Sequence, residues 1–238
     1  MISKKNDFND SDRLIVALDL PDIDYAKKLV TELGSSVNFY KVGLELAMTG
    51  EYFNLISWLN KKNKKVFADL KFYDIPNTVS SAIRQLNKWD IEFITVHGDR
   101  SIMQAAADSR KNNIKLLAVT VLTSINKADL SENGITYDTK ELVLTRAKLA
   151  LQSGIDGIIS SGQETKSIRK KLGNDLIIVN PGIRLLNNKS EDDQKRIVTP
   201  SEAIKNGADF IVIGRPIRNA KNPKKVADEI QLDIANCL

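Results

Sequence analysis

The sequence predicts a single (β/α)8 barrel, the TIM-barrel fold, over residues 1–238. Two observations carry this. Eight short, apolar, β-branched runs alternate with eight amphipathic stretches, the pattern of a parallel sheet wrapped by helices. The first run leads into Ala17-Leu18-Asp19-Leu20-Pro21, without the glycines that a doubly wound dinucleotide-binding sheet carries there.

The predicted strands are Leu14–Asp19, Val37–Gly43, Val66–Lys71, Phe93–His97, Lys115–Leu122, Gly157–Ser160, Leu176–Pro181 and Phe210–Gly214. Helical periodicity covers Asp22–Leu33, Glu51–Lys62, Thr78–Trp89 and Ser101–Asn112 in the first half. Lys140–Ser153, Glu164–Leu172, Ser201–Asn206 and Lys224–Ile234 follow. Pro21 and Pro200 stand near helix starts. Gly34, Gly154 and Gly207 stand where helices should stop. Residues 1–12 read as a flexible N-terminal segment. The polar stretch Asn187–Arg196 reads as a long loop after strand seven, a candidate lid.

Composition narrows the function classes. The net charge is +5, but the lysines are scattered or sit in turn-like runs such as Lys61-Lys62-Asn63-Lys64-Lys65. No basic stripe interleaved with aromatics is evident, so no nucleic-acid partner is expected. No apolar run approaches the roughly 20 residues of a membrane span, and the first residues lack the apolar core of a secretory signal. The only cysteine is Cys237, which excludes an internal disulfide and fits a cytoplasmic location. No His, Cys and carboxylate set has metal-ligand spacing.

Charges fall where a barrel keeps its chemistry, at the C-terminal strand ends. Asp19 ends strand one and Lys41 lies on strand two. In Asp69-Leu-Lys-Phe-Tyr-Asp-Ile-Pro-Asn-Thr78, Asp69 and Lys71 share a face by the two-residue period of a strand. Asp74 follows in the loop. Charges crowded at one strand end are costly unless mutually arranged, and such crowding marks functional sites. His97 ends strand four and reads as a structural or rim residue. Thr123 and Ser124 follow strand five. Arg184 follows strand seven, with Gln194 on the loop beyond. In Phe210-Ile-Val-Ile-Gly-Arg-Pro216, Gly214 allows close backbone approach. The N–H groups of the helix start and the Arg215 guanidinium suit a phosphate dianion.

Together these segments resemble the orotidine 5′-phosphate decarboxylase family. The resemblance runs from Arg13 to about Ile217 and includes Val16–Asp19, Phe39–Gly43, Asp69–Val79, Thr95–His97, Val119–Ser124, Pro181–Arg184, Asp193-Gln194 and Val212–Ile217. Asp-x-Lys-x-x-Asp followed by Ile-Pro-Asn-Thr is specific to that family. Related barrels with the same charges, the Mg²⁺-dependent sugar-phosphate decarboxylases and aldolases, are not expected to carry that continuation. This chain departs after His97, where Gly98-Asp99-Arg100 replaces an alanine and a pair of glycines.

The resemblance implies cofactor-free, metal-free conversion of orotidine 5′-phosphate to UMP and CO2, the last step of de novo pyrimidine nucleotide biosynthesis. It implies catalytic roles for Lys41, Asp69, Lys71 and Asp74, with Lys71 as the acid at C6. Asp19 and Lys41 would hold ribose hydroxyls, and Thr123 the pyrimidine edge. Arg184, Gln194, Gly214 and Arg215 would clamp the phosphate. It also implies a homodimer in which Asp74, Ile75 and Thr78 reach the neighbouring subunit's site. The other readings are the Mg²⁺-dependent sugar-phosphate enzyme and a basic barrel that binds RNA or a partner. The second of these predicts a broken charge set, and every expected charge is present.

Overall fold

A computed structural model describes residues 8–111, 113–185 and 197–238. Its centre is a closed barrel of eight parallel strands, β1 to β8, hydrogen-bonded in sequence order with β8 returning to β1. They are β1 (Leu14–Ala17), β2 (Phe39–Gly43), β3 (Lys65–Phe72), β4 (Phe93–His97), β5 (Lys115–Val119), β6 (Gly157–Ile159), β7 (Ile177–Asn180) and β8 (Phe210–Ile213). All eight overlap the predicted runs. Strands buried on both faces read as near-continuous Val, Ile and Leu, which is why the sequence betrays them.

The helices around the barrel are α1 (Ile23–Leu33), α2 (Leu44–Ala47), α3 (Tyr52–Lys61), α4 (Pro76–Leu86) and α5 (Arg100–Ser109). They continue with α6 (Lys127–Glu132), α7 (Thr139–Gln152), α8 (Gly162–Leu172), α9 (Pro200–Lys205), α10 (Arg215–Arg218) and α11 (Pro223–Ala235). Local chemistry sets their ends. The Asp22 side chain accepts from the Tyr25 amide at 2.9 Å to start α1, and Gly34 stops that helix at φ +53°. Reciprocal capping boxes open α7 (Asp138 with Glu141) and α9 (Thr199 with Glu202). The one-turn helices α2 and α10 are too short to leave a periodic signal, and α6 is not among the predicted stretches either. Arg215 therefore begins a separate one-turn helix, not the last helix, which starts at Pro223.

Two apolar cores result. The larger lies between strands and helices. The smaller fills the barrel with Ile15, Phe39, Phe67, Phe93, Leu117, Ile177, Val179 and Phe210. Phe93 is central to an aromatic floor, with ring centroids 5.0 Å from Phe39, 5.8 Å from Phe67 and 5.1 Å from Phe210. These edge-on and tilted contacts suit the ring quadrupoles.

The floor is closed from below by residues expected to be flexible. Phe8 packs edge-on to Phe210 at 4.6 Å. Asp12, only 5% exposed, pairs with Lys65 at 3.0 Å. The N-terminal segment is thus anchored from Phe8 onward, because the barrel's lower mouth needs an apolar plug. Residues 1–7 lie outside the described residues, as do Gln194 and the stretch 187–196 read as a lid.

Gly157 on β6 reports how tightly the interior is filled. A Cβ there would lie 2.5 Å from the Ile177 carbonyl oxygen and 2.7 Å from Leu117 Cδ2. Gly157→Ala is expected to cost at least about 1–3 kcal/mol through overpacking, read as a lowered thermal midpoint. An unchanged midpoint would contradict this packing.

Candidate active site

Three consecutive strands share one pattern. Phe39-x-Lys41 on β2, Phe67-x-Asp69 on β3 and Phe93-x-Thr95 on β4 each set a polar side chain two residues above an aromatic one. The two-residue period of a strand keeps both on one face, so a polar layer sits directly on the phenylalanine floor.

Asp69 is the centre of that layer and is 7% exposed. Its Oδ2 accepts from Lys71 Nζ at 2.7 Å and lies 3.4 Å from Lys41 Nζ. Its Oδ1 accepts from Thr95 Oγ1 at 2.9 Å. Lys41 reaches on to Asp19 Oδ1 at 2.7 Å. The four charges therefore alternate in sign along Asp19, Lys41, Asp69 and Lys71. Burial opposes ionisation of Asp69, but Lys41 and Lys71, with the hydrogen bonds from Lys71 and Thr95, outweigh it and hold the carboxyl below its ordinary range. For Lys41, burial opposes the charge, and Asp69 and Asp19 outweigh that and raise its pKa. Both groups are charged at neutral pH.

The backbone beneath this arrangement is irregular. Ala68 pairs with Ile94 but Phe72 with Val96, so β3 carries two more residues than β4 in that interval. Lys71 sits in the bulge at φ +47°, a region a side-chain-bearing residue rarely adopts. Its amide is held by Thr95 Oγ1 at 2.9 Å. Asp69 and Lys71 do meet, as strand alternation predicts, but through a bulge rather than a regular strand.

A cavity of about 250 Å³ opens above the layer. Asp19, Lys41, Asp69 and Lys71 line one side, and Thr123, Arg184, Gly214 and Arg215 line others. Eight of the residues singled out in the sequence are thus brought to one cavity. At the one-turn helix α10, Pro216 has no N–H, and the Ile217 and Arg218 amides both donate to the Gly214 carbonyl at 3.0 Å.

Asp74, Ile75, Thr78, His97 and Ser124 do not line this cavity. Asp74 and Ile75, between β3 and α4, and Thr78, in the first turn of α4, are exposed, and the Asp74 carboxylate accepts from the Ile75 amide at 2.7 Å. His97 also faces elsewhere, against Tyr73 at 4.5 Å between centroids. Burial and then Arg146 lower its pKa, Asp99 opposes them, and Lys71 adds to the lowering. The departure after His97 has a local cause. A Cβ at Gly98 would lie 2.6 Å from the Val119 carbonyl oxygen and 3.2 Å from Arg146 Cδ. Arg146 occupies that space and donates to the Thr120 carbonyl.

The model of the orotidine 5′-phosphate decarboxylase / HUMPS family matches residues 12–230. The chain belongs to this family. It is 52% identical over 224 residues to an orotidine 5′-phosphate decarboxylase of Methylococcus capsulatus, covering 94% of this chain and 92% of that one. A Xanthomonas axonopodis relative of the same name is 48% identical over 228 residues, covering 95% and 93%. The crystal structure of orotidine 5′-phosphate decarboxylase from Lactobacillus acidophilus superposes with a TM-score of 0.80 at 36% identity, over 94% of this chain and 99% of that one. No described helix is long and apolar enough to cross a membrane.

Sequence reasoning missed Thr95 and Arg218, both placed at the site by the fold. The repeated Phe-x-polar pattern on β2, β3 and β4 was a usable signal for Thr95. Arg218 had none, since an arginine in a polar run reads as surface.

The Thr95 contact predicts a pH effect. A carboxyl with a depressed folded pKa contributes stability that is present above its unfolded value, about 3.9, and is lost as pH falls through the folded value. Thr95→Val removes a hydrogen bond to a charged group, at a cost of about 1.5–3 kcal/mol. It also raises the folded pKa of Asp69 toward the unfolded value, so the variant has less stability to lose as pH falls below about 4, and its deficit relative to wild type should narrow in acid. Thermal midpoints measured from about pH 2 to 6 test this, and profiles differing by a constant offset would refute it.

Proposed function

We propose that this chain decarboxylates orotidine 5′-phosphate to UMP and CO2 without a cofactor or metal; the relatives it resembles carry the name orotidine 5′-phosphate decarboxylase. The observation that carries the reading is the alternating charge set Asp19, Lys41, Asp69 and Lys71 in a cavity also lined by Arg184 and Arg215. One side suits a reaction that develops negative charge, and the arginines suit a phosphate.

Loss of CO2 from C6 of the pyrimidine leaves an electron pair that no adjacent carbonyl delocalises as a simple enolate. The catalyst must supply about 20 kcal/mol or more of barrier reduction. Cofactors commonly provide an electron sink for carbanions; here fixed charges take that part. The Lys71 ammonium stabilises the carbanion at C6 and then delivers its proton there. Asp69, kept anionic by its two lysines, lies near the departing carboxylate and disfavours the substrate's charged ground state. Lys41 fixes Asp69 and, with Asp19, holds ribose hydroxyls. Thr123 addresses the pyrimidine edge. Arg215, Gly214, Arg184 and Gln194 bind the phosphate.

The reading includes a homodimer. Tyr73 (67% exposed) and Ile75 (66%) follow β3, and Leu44 (55%) and Met48 (79%) follow the neighbouring β2. Apolar side chains concentrated after two adjacent strands suit burial by a partner. Asp74 on the same segment and Thr78 in the first turn of α4 would complete the neighbour's site. A cytoplasmic location goes with this soluble nucleotide chemistry. The sugar-phosphate alternative has no observation in its favour, and both curated relatives carry the decarboxylase name.

The direct test follows the fall in orotidine 5′-phosphate absorbance with purified protein in EDTA. Steady turnover is expected, and turnover that requires added Mg²⁺ would overturn the reading. Lys71→Ala should fold normally and lose more than about 10⁴-fold in kcat; wild-type activity would remove Lys71 from the mechanism. Arg215→Ala should lower kcat/KM by about 2–5 kcal/mol, since remote phosphate binding contributes to the chemical step. A loss below about 1 kcal/mol would reassign the phosphate site.

A further inference from the structure

We propose that Arg218 is a further cationic contact for the phosphate, beside Arg215 and Arg184. The inference rests on the decarboxylase reading and adds a residue to it. Three residues apart on the single turn of α10, Arg215 and Arg218 share one helix face. Both line the reaction cavity with Gly214 and Arg184. Arg218 also lines an outer groove of about 240 Å³ with Tyr25, Lys28, Glu32 and Lys221. Its side chain therefore forms the partition between the arginine-lined part of the cavity and that groove.

The hydrogen bonding of Arg218 sets it apart. Its Nη1 is sealed from solvent and meets no acceptor among the described residues. Structural arginines in this barrel do otherwise. Arg13 and Arg169 both end on Asp209, through its carbonyl and its carboxylate respectively. Arg110 ends on the Asp156 carboxylate and Arg146 on the Thr120 carbonyl. A guanidinium keeps its charge at any relevant pH and presents five donors. Holding one beside the cavity with a terminal nitrogen sealed and unmatched is costly, and an anion arriving there relieves that cost. A phosphate dianion fits, because its oxygens match the guanidinium fork and its three terminal oxygens leave acceptors for Arg218 beyond those that Arg215 and Arg184 occupy.

The test separates phosphate from the rest of the nucleotide. Binding of UMP and of uridine is titrated by calorimetry against wild type, Arg218→Gln and Arg218→Lys, with thermal midpoints recorded for each. Arg218→Gln should weaken UMP by about tenfold and leave uridine within about twofold. Arg218→Lys should weaken UMP less, again sparing uridine. This second variant carries the test if the glutamine protein does not fold. Equal weakening of UMP and uridine would make Arg218 structural, and unchanged UMP affinity would remove it from the site. Turnover judges the decarboxylase reading separately. A wild type that prefers UMP over uridine but does not decarboxylate orotidine 5′-phosphate would overturn that reading while leaving the Arg218 contact to be decided by the variants. A wild type without preference for UMP would overturn both.

Discussion

A carboxylate buried on an aromatic floor is the constraint to which the upper half of this barrel answers. Asp69 has lost nearly all contact with water, and an ionised carboxylate in that position is tolerable only with close cations and satisfied oxygens. Lys41, Lys71 and Thr95 meet that need from three adjacent strands. Each partner then acquires a need of its own. Lys41 is only 12% exposed at its side chain and requires a second anion, which Asp19 supplies. Gly43 is without a side chain where a Cβ would come within 3.3 Å of both Asp19 Oδ1 and Lys41 Nζ. Replacing one charge thus strands its neighbours, and the set behaves as a unit.

The bulge in β3 follows from the same demand. A regular strand would leave the Lys71 amide in the ladder and fix its side chain by alternation alone. The extra residues and the left-handed backbone at Lys71 turn the ammonium back to Asp69 while leaving it 31% exposed at its side chain toward the cavity. Non-glycine residues in such conformations cost of order 1–3 kcal/mol and persist where the surroundings over-determine them. Here the surroundings are one threonine, whose hydroxyl accepts from the strained amide and donates to the carboxylate. Backbone strain and charge placement share Thr95.

What the sequence revealed and concealed follows from this physics. The strands were legible because both faces are buried, and their charged ends because a charge on an apolar run contradicts local burial and so marks a site. Helix ends were legible through caps such as Asp22 and Gly34. Thr95 was hidden because threonine is an ordinary strand former. The bulge was hidden because pairing with β4 is a tertiary property. Phe8 was hidden because a lone aromatic in a polar segment has no period. The separateness of α10 was hidden because a single turn leaves no repeat, and that placement brings Arg218 to the cavity.

The closure of the barrel explains how opposite charge demands coexist in one small cavity. β1 and β8 are neighbours, so Asp19 at the end of one lies beside Gly214 at the end of the other. A Cβ on Gly214 would be 3.9 Å from Asp19 Oδ2. An uncompensated Asp19 there would repel any anion held by Arg215. Lys41 compensates it from the other side at 2.7 Å. The same ammonium that helps keep Asp69 ionised therefore also shields the arginine-lined part of the cavity from Asp19. Under the proposed function, that makes Lys41 the link between the group that drives decarboxylation and the groups that hold the phosphate, although it belongs to neither alone.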